Sequence, residues 1–225
     1  MKKFHVTSKL LLQYRNDQIM IFDELLRKAS ENPTTKCIHQ IRVTIRRLGV
    51  VINSVKLNQL TKVLGRERDL EVAIANAKKY GLGITKLKKA KKSARKKSQK
   101  KMQLFSEKGL RKTSQINLLM KYKTMMKELN LELEDFESIE MTNKQFHRLR
   151  INLKKVRYGL EAIGQFRPQL EKMQDLLGHI HDLEVLQRLI GKKARIKKDK
   201  RFAKKDAQAE YLSVVKLARR NLKRI

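Results

Sequence analysis

Residues 37–49 read CIHQIRVTIRRLG, and residues 145–157 read QFHRLRINLKKVR. Both follow one skeleton: apolar, His, any residue, apolar, Arg, apolar, any residue, apolar, then a basic pair. Each is followed by a second shared stretch, LGRERDLEV at 64–72 and LGHIHDLEV at 177–185. Two matching pairs in the same order point to a duplicated unit of about 110 residues, far longer than a solenoid period.

Apolar residues recur at helical spacing through most of the chain, and its 2 prolines and 9 glycines fall mostly where that spacing stops. The pattern predicts helices at 7–29, 34–56, 58–80, 84–106, 112–130, 143–164, 168–189 and 200–224. Pro33 suits a helix start, Gly81 a C-cap, and Thr142 with Gln145 a capping box. The expected fold class is all-α, with two antiparallel four-helix sets in one domain, 1–109 and 110–225, dividing near Gly109. The His motif lies on the second helix of each set.

Charge limits the partners. The 225 residues carry 55 Lys+Arg against 22 Asp+Glu, a net charge of +33, which favours nucleic acid, an anionic membrane surface or a phosphate polymer. Because 40% of residues are hydrophobic and periodic, a disordered tail is excluded. One cysteine, Cys37, rules out an internal disulfide framework and a cysteine-rich zinc site. No apolar run is long enough to span a bilayer, and the basic start MKKFHVTSKLLLQYRNDQ loses its apolar core at Gln13, which argues against a signal peptide. A soluble cytoplasmic protein is expected, without membrane association.

The repeated helix has an unusual face. At about 100° per residue, Ile38, Ile41, Ile45, Leu48 and Ile52 form a broad apolar side. His39, Arg42, Arg46 and Asn53 form a narrow stripe beside it, with Val43 and Val50 on the stripe's other flank. In the second copy the apolar side is Phe146, Leu149, Leu153, Val156 and Leu160. The stripe is His147, Arg150, Lys154 and Arg157, flanked by Ile151 and Tyr158. Arg47 and Lys155 project beyond the flanks. A surface helix normally sets its charges opposite one apolar face. Cations held between two apolar flanks belong in a groove or at a seam, where they need a countercharge. Asp69 and Asp182 supply part of it, by orienting groove arginines or else as plain surface residues; two acids cannot neutralise both stripes. The alternative is that the stripes are exposed edges or inter-helix ion pairs. Glu161 shares the stripe of His147 and suits pairing with an arginine.

The histidines leave a metal pair open, but no acid or cysteine lies near them at ligand spacing. His179 and His181 point to different sides of a helix. Neighbouring cations disfavour ionisation of the stripe histidines, which as neutral rings can still donate one hydrogen bond to phosphate. The run KLKKAKKSARKKSQKK from Lys86 carries 10 cations in 16 residues, with a narrow docking stripe at Leu87, Ala90, Ala94, Ser98 and Phe105. Its lysines read equally as a solvated face or as further anion contacts. The acidic stretch KELNLELEDFESIE from Lys127 reads as a link into the second His segment.

These doubled motifs resemble the CHAD domain, the conserved-histidine α-helical domain, over essentially the whole chain. The resemblance implies two four-helix bundles related by a pseudo-twofold, in a stand-alone member with no room for a fused triphosphate-tunnel domain. It implies non-catalytic binding of inorganic polyphosphate in a basic central groove or pore, without a cofactor, and association with polyphosphate granules. By position it places His39, Arg42, Arg46 and Arg47, and His147, Arg150, Lys154, Lys155, Arg157 and Tyr158, in the site. Gly49 stands where the second copy has Arg157 and the family favours a cation. Lys92, Arg95 and Lys96 are second-tier contacts on charge alone.

Two other functions compete. Nonspecific RNA or DNA binding at low salt fits the charge, but with no Trp, 5 Tyr and 7 Phe the chain is poor in stacking platforms. A metal- or phosphohistidine-dependent enzyme would need a glycine-rich phosphate loop or clustered carboxylates, and neither is present.

Overall fold

The structure is a computed structural model that describes residues 6–105, 115–134, 141–191 and 193–225, with side chains from 118 onward in the second of these segments. Among the described residues it is all helical: α1 (Ser8–Glu31), α2 (Thr35–Val51), α3 (Val55–Lys79), α4 (Thr85–Gln103), α5 (Gln115–Glu134), α6 (Asn143–Glu161), α7 (Pro168–Ile190) and α8 (Ala194–Leu222). The expected divide at 109/110 lies outside the described residues, as does the acidic stretch at 135–140.

Helix ends follow local chemistry. The hydroxyl of Thr34 accepts from Cys37 N at 3.1 Å and starts α2, while Thr142 and Gln145 close the capping box of α6. Gly81 takes φ +65°, and its neighbours bond back as Gly81 N to Lys78 O and Leu82 N to Ala77 O. That Schellman closure needs a residue without Cβ. Three expected boundaries shift. α2 stops at Val51 rather than 56, because the Ser54 hydroxyl accepts from Leu57 N and opens α3. α5 runs on to Glu134, so part of the acidic stretch is helix rather than link. α8 starts at Ala194, six residues before the expected 200, after Gly191 at φ +85° ends α7.

Packing forms two closed rings. In the first, α1 meets α2, α2 meets α3, α3 meets α4 and α4 returns to α1. In the second, α5, α6, α7 and α8 pack in the same cyclic order. Between rings, α1 meets α5, α2 meets α6 and α3 meets α7, so each of these helices contacts its counterpart. The apolar interior does not divide along the rings. One large cluster unites α1, α2, the first part of α3 and Met102 of α4 with α5, α6, the first half of α7 and α8 from Ala203 onward. A smaller one joins Leu70, Ala73 and Ala77 of α3 and Leu87 and Ala94 of α4 to Leu183 and Leu186 of α7 and Ile196 of α8.

The broad apolar sides of α2 and α6 both enter the large cluster. Ile41, Leu48, Leu149, Leu153, Val156 and Leu160 are fully buried. At α6, Gly159 lets α5 approach: a Cβ there would meet Met126 Sδ at 2.6 Å, and Tyr122 donates its hydroxyl to Gly159 O at 2.7 Å. This contact fixes α5 against the helix that carries the second stripe.

Candidate anion-binding groove

Burying those apolar sides turns the stripes of α2 and α6 toward a shared cavity of about 900 Å³. α2 contributes Arg42 and Arg46, the α2–α3 connection Asn53, and α6 His147, Arg150, Lys154, Lys155 and Tyr158. Asn58, Thr61 and Asp69 of α3, Lys121, Thr124 and Glu128 of α5, and His181 of α7 join the lining. The lining holds six Lys and Arg side chains against two carboxylates, Asp69 and Glu128, so its countercharge is incomplete.

Desolvation is visible in the ionisation of these groups. Burial, with Arg46 next, lowers the Arg42 guanidinium to about 10. Burial likewise lowers Arg150, opposed by Asp182. Burial and then Arg150, Arg46 and Arg42 bring Lys154 down to about 7. Burial alone takes Lys121 to about 8. His181 falls to about 3, again from burial first and then Arg150, and its ring lies 5.8 Å centroid to centroid from that of His147. The neutral His181 ring therefore adds no positive charge at neutral pH. Asp182 is raised by burial against the pull of Arg150 and Arg68. Among the described residues, the buried Nε atoms of Arg42 and Arg150 have no hydrogen-bond partner. A buried donor without a partner costs free energy, and an oxyanion in the groove would relieve it.

Of the residues expected in the site, Arg42, Arg46, His147, Arg150, Lys154, Lys155 and Tyr158 line this cavity, as does Asp69. The others lie elsewhere. His39 is exposed near the start of α2, and partial desolvation of its ring, followed by Arg68, lowers its pKa. Arg47 pairs with Glu161 at 2.5 Å, the arginine–Glu161 pairing anticipated from sequence, made across the seam from α2 to α6. Arg157 pairs with Glu171 at 2.7 Å and lies over the Tyr158 ring at 5.5 Å. Asp182 sits behind the lining and acts electrostatically on Arg150. On α4, Arg95 pairs with Glu67 at 2.8 Å, while Lys92 and Lys96 are exposed away from the cavity.

Lys121, His181 and Glu128 join the lining without having been singled out. The repeat carries a faint signal for His181, which aligns with Arg68 in the two LG…DLEV stretches. Lys121 carries none, being one cation among 55 on a helix with no counterpart motif. The expected docking stripe of α4 is observed at Leu87, Ala94 and Ser98, joined by Met102; Phe105 meets Phe22 edge-on at 5.3 Å. Among the described residues, no group of three or more His, Cys, Asp or Glu side chains is placed to hold a metal ion, and no helix is long and apolar enough to cross a membrane.

Among the described residues the protein is all helical, with paired helices lining a cation-rich cavity, and it resembles known proteins of the same fold. The family model of the CHAD domain matches residues 85–191, which include the second His motif but not the first. Over 98% of this chain and 100% of its own, the structure of PptA from Streptomyces chartreusis is similar, with a TM-score of 0.64 at 12% identity. The crystal structure of the CHAD domain from the plant Ricinus communis covers 100% of this chain and 94% of its own, with a TM-score of 0.62 at 19% identity. No curated protein matches the sequence. The chain is thus similar to the CHAD domain over residues 85–191, and it shares the fold of a CHAD domain over its length.

Proposed function

We propose that the protein is a non-catalytic binder of inorganic polyphosphate, which it takes into the cavity between α2 and α6. The observation that carries this reading is the six-to-two excess of cations over carboxylates in one lining, with buried guanidinium Nε donors lacking partners. Arginine presents flat bidentate donors to phosphate oxygens. Polyphosphate has no bases to read, and Tyr158 is the one Phe, Tyr or Trp among the described lining residues. A groove so poor in stacking surface fits a bare phosphate chain better than single-stranded nucleic acid. Similarity to the CHAD domain supports the same ligand class, and granule association would follow from it.

The test is a competition titration at physiological salt. Polyphosphate displaces labelled RNA at comparable phosphate concentration, and RNA does not displace polyphosphate. RNA winning that competition would overturn the reading. Time-dependent phosphate release from polyphosphate, lost on His147→Ala, would overturn the non-catalytic part.

A further inference from the structure

A lysine is an odd choice for a desolvated position among arginines, since arginine keeps its charge when desolvated and lysine does not. Lys154 is half-buried in the cavity wall, one turn beyond Arg150 on α6 and facing Arg42 and Arg46 of α2. Asp69 of α3, Lys121 of α5 and His181 of α7 line other parts of the same cavity, with Asp182 acting on Lys154 from α7. Held at about 7, a large fraction of Lys154 is free amine at neutral pH. The site thus sets a nucleophile beside guanidinium groups suited to hold a phosphate.

We propose that Lys154 is a covalent acceptor site for acyl phosphates, compounds in which a carbonyl carbon is joined to a phosphate oxygen. The proposal rests on the groove binding phosphate anions. Arg46 and Arg150 hold the phosphate, which leaves the carbonyl within reach of Lys154. The Nζ lone pair attacks the carbonyl carbon and a C–N bond forms. The C–O bond to phosphate breaks, its electron pair leaves with inorganic phosphate, and the ammonium proton passes to that phosphate or to water. The product is an amide, one acyl group per chain, and no oxidant or metal is required. The change removes a cation from the centre of the groove, so acylation weakens polyanion binding and ties it to acyl phosphate supply.

The experiment exposes the whole protein to acetyl phosphate at neutral pH and follows acetylation of each lysine by peptide mass spectrometry. Lys154 should react at least about tenfold faster than exposed Lys92 and Lys96, from its larger free-amine fraction offset by lower nucleophilicity and then raised by phosphate capture. Lys121, with no guanidinium clamp beside it, should fall between. Added polyphosphate should protect Lys154. The Arg46→Ala/Arg150→Ala variant should lose the preference with acetyl phosphate but keep reactivity toward an uncharged acetyl donor. Acetylation of Lys154 at the rate of Lys92 in the unaltered protein would overturn the proposal. Polyphosphate binding measured on the same sample keeps the two readings apart: binding without acetylation sinks only this inference, while no binding sinks the groove reading beneath it.

Discussion

α4 and the α2/α6 seam are both basic, yet they hold their charge in opposite ways. α4 carries the denser run, but its inward-leaning cations are matched, Arg95 by Glu67 and Lys91 by Glu71, and Lys88, Lys89, Lys92, Lys96, Lys97 and Lys100 stand in water. The seam has fewer cations, and they are desolvated. Arg42 and Arg150 keep buried Nε atoms without partners, and Lys154 is driven toward neutrality. Exposed charges are screened beyond about 10 Å at ordinary salt, whereas desolvated ones are not. On the proposed function, bulk charge would account for attraction and encounter, and the seam for retention.

Four experiments can break or sharpen that contrast. Replacing Arg42, Arg46, Arg150 and Lys154 together with Ala should weaken polyphosphate binding about a hundredfold or more, since each lost charge-assisted contact is worth about 1.5–3 kcal/mol and the four are not additive. Isothermal titration calorimetry measures this, with circular dichroism to confirm the helices. Unchanged affinity would remove the seam from the account.

The next effect is on pH. A bound polyanion favours the charged form of Lys154, so affinity should rise as pH falls through about 7, by roughly tenfold between pH 8 and 6. Lys154→Arg should flatten that profile. Stability of the free protein runs the other way. The folded pKa of Lys154, about 7, lies below the ordinary value of 10.5, so between them the unfolded chain binds more protons. Charging the buried Lys154 amine therefore destabilises the fold: the penalty is absent above the unfolded value, grows as pH falls and is full below about 7, where the native protein should melt below Lys154→Gln. The difference in melting temperature between the native protein and Lys154→Gln should narrow as pH rises across that window.

A smaller change is expected at Glu128, an exposed carboxylate in the lining. Glu128→Gln should tighten polyphosphate binding about threefold, the scale of a solvent-exposed charge interaction. Smallest of all, Lys88, Lys92, Lys96 and Lys100 changed together to Ala should cost about twofold at physiological salt, while flattening the low-salt dependence of the association rate. A loss as large as that of the seam variant would show the two basic regions to be equivalent.

Most of the helical layout was legible because the apolar spacing of Ile38 through Ile52 and Phe146 through Leu160 fixes both helix and buried side. The errors came from hydrogen bonds that periodicity does not register, such as the Ser54 cap that splits α2 from α3. In the site, Arg42, Arg46, Arg150 and Lys154 were legible from rotation about one helix axis. Arg157 was not separable from them, since Glu171 reaches it from α7, and the geometry that set Arg47 aside with Lys155 did not tell that Glu161 of α6 takes Arg47 while Lys155 lines the cavity. Lys121 and His181 enter through the packing of α5 and α7 on the seam, which a single helix does not encode.

The central claim, that the α2/α6 seam rather than the lysine-rich helix holds the anion, is met most directly by a crystal of the protein soaked with short-chain polyphosphate. The account predicts phosphate density inside the cavity, within hydrogen-bonding distance of Arg42, Arg46 and Arg150. An empty cavity with ordered phosphate along α4 would contradict it.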